Sequence, residues 1–82
     1  MTCTIRTTLL SATSTRPTRM KARIASGTSV TVAYDHAHNG DDNHALAFLA
    51  LCRKMGKADS EVARYHCGWY GGDAFWVASN GR

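Results

Sequence analysis

Apolar and polar residues alternate along the first third of the chain. In "TCTIRTTLL" the positions Cys3, Ile5, Thr7 and Leu9 share one face, because successive side chains on a strand point to opposite sides, and this predicts a strand. "RMKARIA" alternates without a break: Met20, Ala22 and Ile24 point one way, and Arg19, Lys21 and Arg23 the other. "SVTVAY" repeats the pattern, setting Val30, Val32 and Tyr34 against the core. Between the first two strands "SATSTRPT" reads as a loop, where Pro17 pushes Arg16 towards extended backbone. "SGT" supplies a turn whose Gly27 is free to take positive φ. The three segments form an antiparallel meander with one apolar and one basic face.

The period then changes. Ala45, Phe48, Leu49, Cys52 and Met55 recur at spacings of three and four, which predicts the buried stripe of an amphipathic helix. Asp41, Asp42 or Asn43 can cap its start, since a short polar side chain accepts from the unpaired first N–H groups. Carboxylates there also suit the positive end of the helix dipole, as Arg53, Lys54 and Lys57 suit the negative end. Gly56 is the left-handed stop. "KADSEVA" is a linker with room for one helical turn. "RYHCGWY" alternates again with Tyr65, Cys67 and Trp69 on one face, "GGD" is a tight turn and "AFWVA" a closing strand. The order β-β-β-α-β-β gives an α+β fold: a small antiparallel sheet with one helix packed on its apolar face.

The 82 residues make a single domain, residues 1–82. A chain of this size buries only about 60% of the surface its unfolded form exposes, so its core is thin. A homodimer would be a natural way to cover leftover apolar surface. With 44% apolar and 20% charged residues the chain belongs among folded proteins, not disordered ones. No window approaches the ~18 apolar residues needed to cross a bilayer. The apolar stretch in "MTCTIRTTLLSATST" is too short for a signal peptide, and an intracellular location is expected. Cys3, Cys52 and Cys67 form no CxxC pair and are expected to be buried thiols of a reducing compartment.

Charge divides the chain. Residues 1–34 carry Arg6, Arg16, Arg19, Lys21 and Arg23 and no acid, while all six acidic residues lie from Asp35 onward. The net charge of +4 is therefore an asymmetry between halves, which bears on partners more than on fold. Arg19, Lys21 and Arg23, joined by Arg6 and Arg16, form the kind of footprint that meets nucleic-acid phosphates; the plain alternative is a solvated outer face.

The stretch "YDHAHNGDDNHALAFLALCRKMG" gathers His36, His38 and His44 with Asp35, Asp41 and Asp42. Imidazole and carboxylate are donors for zinc or manganese, and His66 and Cys67 are further candidates. The spacing matches no HExxH, CxxC pair or Cys₂His₂ pattern, and helix initiation accounts for the same letters. No metal and no cofactor is expected. Catalysis has no better footing. His66 and Cys67 are neighbours on a strand and face apart, and neither a P-loop nor GxGxxG occurs.

The acidic patch Asp35, Asp41 and Asp42 can instead dock on Arg and Lys of another protein. Of the neighbours Trp69 and Tyr70, and of Phe75 and Trp76, only one each can face the core. Trp69, Tyr70 and Trp76 are thus candidate anchors for a protein partner.

Residues 13–56, "TSTRPTRMKARIASGTSVTVAYDHAHNGDDNHALAFLALCRKMG", resemble a group of short proteins encoded by bacteriophages and prophages. The shared features fall on Thr15, Arg16, Arg19, Lys21, Ala22, Ser29 to Val32, Tyr34 to Ala37, Asn43, His44 and Gly56; Pro17, Ala33 and Lys57 depart from the pattern. The resemblance implies a mobile-element origin and no catalytic role. Such proteins are similar in kind to anti-CRISPR proteins. That likeness implies a cytoplasmic inhibitor in a bacterial host, docking on a defence complex such as a CRISPR effector, with a small nucleic-acid-binding accessory protein as the alternative.

Overall fold

The five alternating segments are strands of one antiparallel sheet in the computed structural model of the protein, which describes residues 4–25 and 27–78. Strands β1 (Thr4–Leu10), β2 (Arg19–Ile24) and β3 (Ser29–Ala33) come first. Helix α1 (Gly40–Lys54), the single-turn α2 (Asp59–Val62) and the hairpin β4 (Tyr65–Tyr70) and β5 (Asp73–Ala78) follow. In space the order is β3-β2-β1-β5-β4. The C-terminal hairpin therefore docks on the free side of β1, making the N-terminal strand the middle of the sheet.

Strand parity follows the sequence reading. Ile5, Thr7, Met20, Ala22 and Ala74 are buried, and α1 lies across β1, β2 and β3. Ile24, Val30, Val32, Tyr34, Tyr65 and Trp76 pack around this core. Cys3 lies outside the described residues.

The buried stripe of α1 corrects the sequence reading. It consists of Asn43, His44, Ala47, Phe48, Leu51 and Cys52, while Ala45, Leu49 and Met55 are half-buried on its flank. The reason is polar: Asn43 and His44 face inward because hydrogen bonds satisfy them there, so a pattern built from apolar letters is displaced by a turn edge.

The N-cap is also corrected. Asn39, not Asp41, Asp42 or Asn43, accepts the backbone N–H of Asp42 at 2.8 Å. At the other end Gly56 takes φ +72°. Its N–H reaches the Arg53 carbonyl at 3.1 Å, and that of Lys57 reaches the Cys52 carbonyl at 3.0 Å, a Schellman stop. Gly71 and Gly72, both at positive φ, form the two-residue type I′ turn of the β4–β5 hairpin.

Candidate functional site

α1 and Val62 of α2 pack on the inner face, so the outer face of the sheet is formed by side chains alone. The register sets them in rows. Gly68, Phe75, Arg6, Arg23 and Ser29 stand directly opposite one another across all five strands. One step along, Thr8, Lys21 and Thr31 make a second row, and Arg19 lies beyond it between Leu10 and Ala33. At ~4.8 Å per strand the first row runs about 19 Å.

Arg6 and Arg23 are like charges in direct cross-strand register, an arrangement that costs stability. Part of it is offset. The Arg6 guanidinium donates to Asp73 through Nε at 2.8 Å and lies over the Phe75 ring, 5.7 Å from its centroid. Arg23 and Lys21 have no acidic partner among the described ion pairs, and Arg19 Nε is buried without a hydrogen-bond acceptor. Two shallow depressions straddle Arg6 and Arg23. One of about 250 Å³ is lined by Arg6, Thr8, Leu10, Lys21 and Arg23. The other, of about 180 Å³, lies between Arg6, Arg23 and Phe75. Both fall below the ~300 Å³ of ordinary small-molecule pockets and suit contact with an extended chain better than enclosure.

Four of the five basic residues singled out in the sequence, Arg6, Arg19, Lys21 and Arg23, share this face. Arg16 does not belong to the rows. It is exposed in the loop before β2, in a turn where its N–H donates to Thr13 Oγ1 at 3.1 Å and its carbonyl accepts from Thr13 N at 2.8 Å.

The acidic residues surround the start of α1. Asp35 accepts the N–H of Ala37 at 2.9 Å, a local turn bond. His38 lies 3.7 Å from the Asp35 carboxylate and 3.8 Å from that of Asp42, all three exposed. Asn43 binds the segment from within. Its Oδ1 accepts from Asp35 N at 2.7 Å and its Nδ2 donates to the Asp35 carbonyl at 2.9 Å. Among the described residues no three His, Cys, Asp or Glu come together as a metal site.

The aromatics Trp69, Tyr70 and Trp76 do not form one surface. Tyr70 is 81% exposed on the outer side, whereas Trp69, 50% exposed, sits on the inner side against the His44 ring at 4.9 Å. Trp76 turns inward. It stacks on Phe48 at 4.3 Å and donates through Nε1 to Thr7 Oγ1 at 3.1 Å, which corrects its reading as a surface anchor. Cys52 is buried as expected but Cys67 is exposed, because α1 lies over the opposite half of the sheet. Burial raises both thiols above their usual pKa; the Asp41 carboxylate raises Cys67 further, and Lys57 opposes the rise at Cys52.

His44, expected among the polar letters that open the helix, is the buried end of a hydrogen-bonded chain. Its Nδ1 lies 2.7 Å from Thr7 Oγ1. Thr7 Oγ1 accepts the Trp76 N–H and has one proton of its own, for which the Ala74 carbonyl at 3.5 Å and Nδ1 of a neutral imidazole at the shorter 2.7 Å are the two acceptors. Burial lowers the His44 pKa, opposed by the charges of Asp73 and Asp41.

Two outer-face residues escaped the sequence reading, Phe75 and Gly68. Parity separates Phe75 from Trp76, but only the β1–β5 register reveals that Phe75 is the one beside the cations. No helix among the described residues is long and apolar enough to cross a membrane. Compared with protein-family models, curated proteins and solved structures, the chain has no match in any of the three.

Proposed function

We propose that this chain is a small, non-enzymatic nucleic-acid-binding protein that uses the outer face of its sheet. The observation that carries the reading is the row in which Arg6 and Arg23 stand side by side, flanked by Lys21, Arg19 and Phe75. A thin domain has little stability to spare for opposed like charges, and a polyanion removes their repulsion on binding. The Phe75 ring adds what a merely solvated basic face lacks, an apolar plane for a base.

A salt titration tests this. If Arg19, Lys21 and Arg23 each neutralise a phosphate, log K falls with log[salt] at a slope of about −2 for a single strand. Arg19→Ala/Arg23→Ala should flatten that slope by about 1.4. Salt-independent binding, or a double variant with the same slope, counts against the reading.

A second reading keeps the phage-type inhibitor of a host defence complex such as a CRISPR effector. It is favoured by half-exposed Trp69, whose ring lies 4.9 Å from that of His44, three residues along α1 from Asp41 and so on a neighbouring position of the same helix face. Carboxylates beside an exposed indole suit a basic protein surface. It predicts loss of CRISPR interference in cells expressing the protein and recovery on Asp41→Lys/Trp69→Ala; undiminished interference removes it.

A further inference from the structure

We propose that the outer face takes single-stranded RNA, seating one unpaired base in a slot above Gly68 against the ring of Phe75. This rests on the nucleic-acid reading of that face and names its ligand.

Gly68 lies inside β4, yet nothing local requires glycine there. Its φ is not positive, and the ladder runs through it without a bulge, with Cys67, Gly68 and Trp69 paired in sequence to Trp76, Phe75 and Ala74. A Cβ at this position would meet no atom within 4 Å. Glycine in a strand costs backbone entropy and offers no packing, and with neither bulge nor bend at Gly68 the position leaves room for close approach of a ligand. Its missing side chain opens a gap on the outer face, bounded along β4 by His66 and Tyr70 and across the ladder by Phe75.

Phe75 is prepared on one side only. The Arg6 guanidinium covers it from β1, while Gly68 stands on the β4 side. A base in the gap would continue the layering of guanidinium and ring, and its strand would run on across Arg6 and Arg23. Bases in a duplex are already stacked and paired, so only a single strand can place one there. The hydroxyls decide for RNA. Thr8 and Thr31 flank Lys21 from both neighbouring strands and Ser29 ends the Arg6–Arg23 row, so phosphate-binding cations alternate with groups that can both donate to and accept from a ribose 2′-OH.

The test compares three labelled probes by fluorescence anisotropy at one salt concentration: a single-stranded RNA of about 12 nucleotides, the DNA of the same sequence, and the RNA duplex. Gly68→Val fills the slot with a residue that favours strands, and Phe75→Leu keeps the apolar bulk but removes the ring. Wild type should bind single-stranded RNA severalfold tighter than DNA and tighter than duplex. Each variant should lose about tenfold for single-stranded RNA with the salt slope unchanged, and Gly68→Val should do so without any fall in melting temperature. Equal binding of strand and duplex, equal binding of RNA and DNA, or a Gly68→Val protein of wild-type affinity overturns the inference and leaves a phosphate-binding face. Failure of all three probes to bind at low salt overturns the underlying reading as well.

Discussion

Arg6 stands directly across the β1–β2 ladder from Arg23, yet among the described residues only Arg6 of the two has a carboxylate partner, Asp73. The two arginines therefore respond oppositely to truncation. Arg23→Ala removes a like-charge neighbour and should leave the melting temperature unchanged or slightly raised while weakening nucleic-acid binding. Arg6→Ala leaves the largely covered Asp73 carboxylate without its partner and bares the Phe75 ring, so it should lower stability as well as binding. Thermal melts of the two variants side by side check this; equal destabilisation would contradict it.

Thr7 holds the middle strand to the helix through His44 and to β5 through Trp76. Thr7→Val keeps the shape but strips the hydroxyl, leaving Nδ1 of a buried imidazole without its partner. Denaturant midpoints should show a loss of about 1–3 kcal/mol. A neutral outcome would mean that the hydrogen-bonded chain contributes nothing.

His44 gives stability a pH dependence of definite sign. Its folded pKa is depressed by burial below the ordinary value near 6.5, so the unfolded chain takes up this proton first. The contribution is complete above about pH 6.5 and is lost as pH falls from there through the lower folded value. The urea midpoint should drop between about pH 7.5 and pH 5.5, and His44→Gln should shrink that drop. An unchanged drop in the variant would assign it to other groups.

Asn39 and Asn43 do different work four residues apart. Asn39→Ala removes one cap and should cost about 1 kcal/mol. Asn43→Ala strips partners from both the N–H and the carbonyl of Asp35 and should cost about 1–3 kcal/mol, with faster amide exchange through residues 35–39. Hydrogen exchange resolved by segment distinguishes the two.

Strand parity was legible in the sequence because alternation is a local signal: Met20, Ala22 and Ile24 against Arg19, Lys21 and Arg23 needs no knowledge of neighbours. The helix stop at Gly56 was legible for the same reason. The order of strands was not, since the pairing of β1 with β5 joins residues about seventy positions apart. That pairing carries Phe75 to the arginines and Gly68 to Phe75, so half of the candidate site lay beyond local pattern. Asn43 and His44 misled in another way. Polar letters suggested surface, while their partners, Asp35 and Thr7, could be identified only in three dimensions.

The central claim is that the face of the sheet opposite α1 binds nucleic acid, and backbone amide shifts during titration with a single-stranded RNA test it most directly. The account predicts perturbations concentrated on Arg6, Lys21, Arg23, Gly68 and Phe75, with Asp41 and Asp42 at the helix start unmoved. Shifts confined to the helix start and Trp69, or none anywhere at low salt, would contradict it.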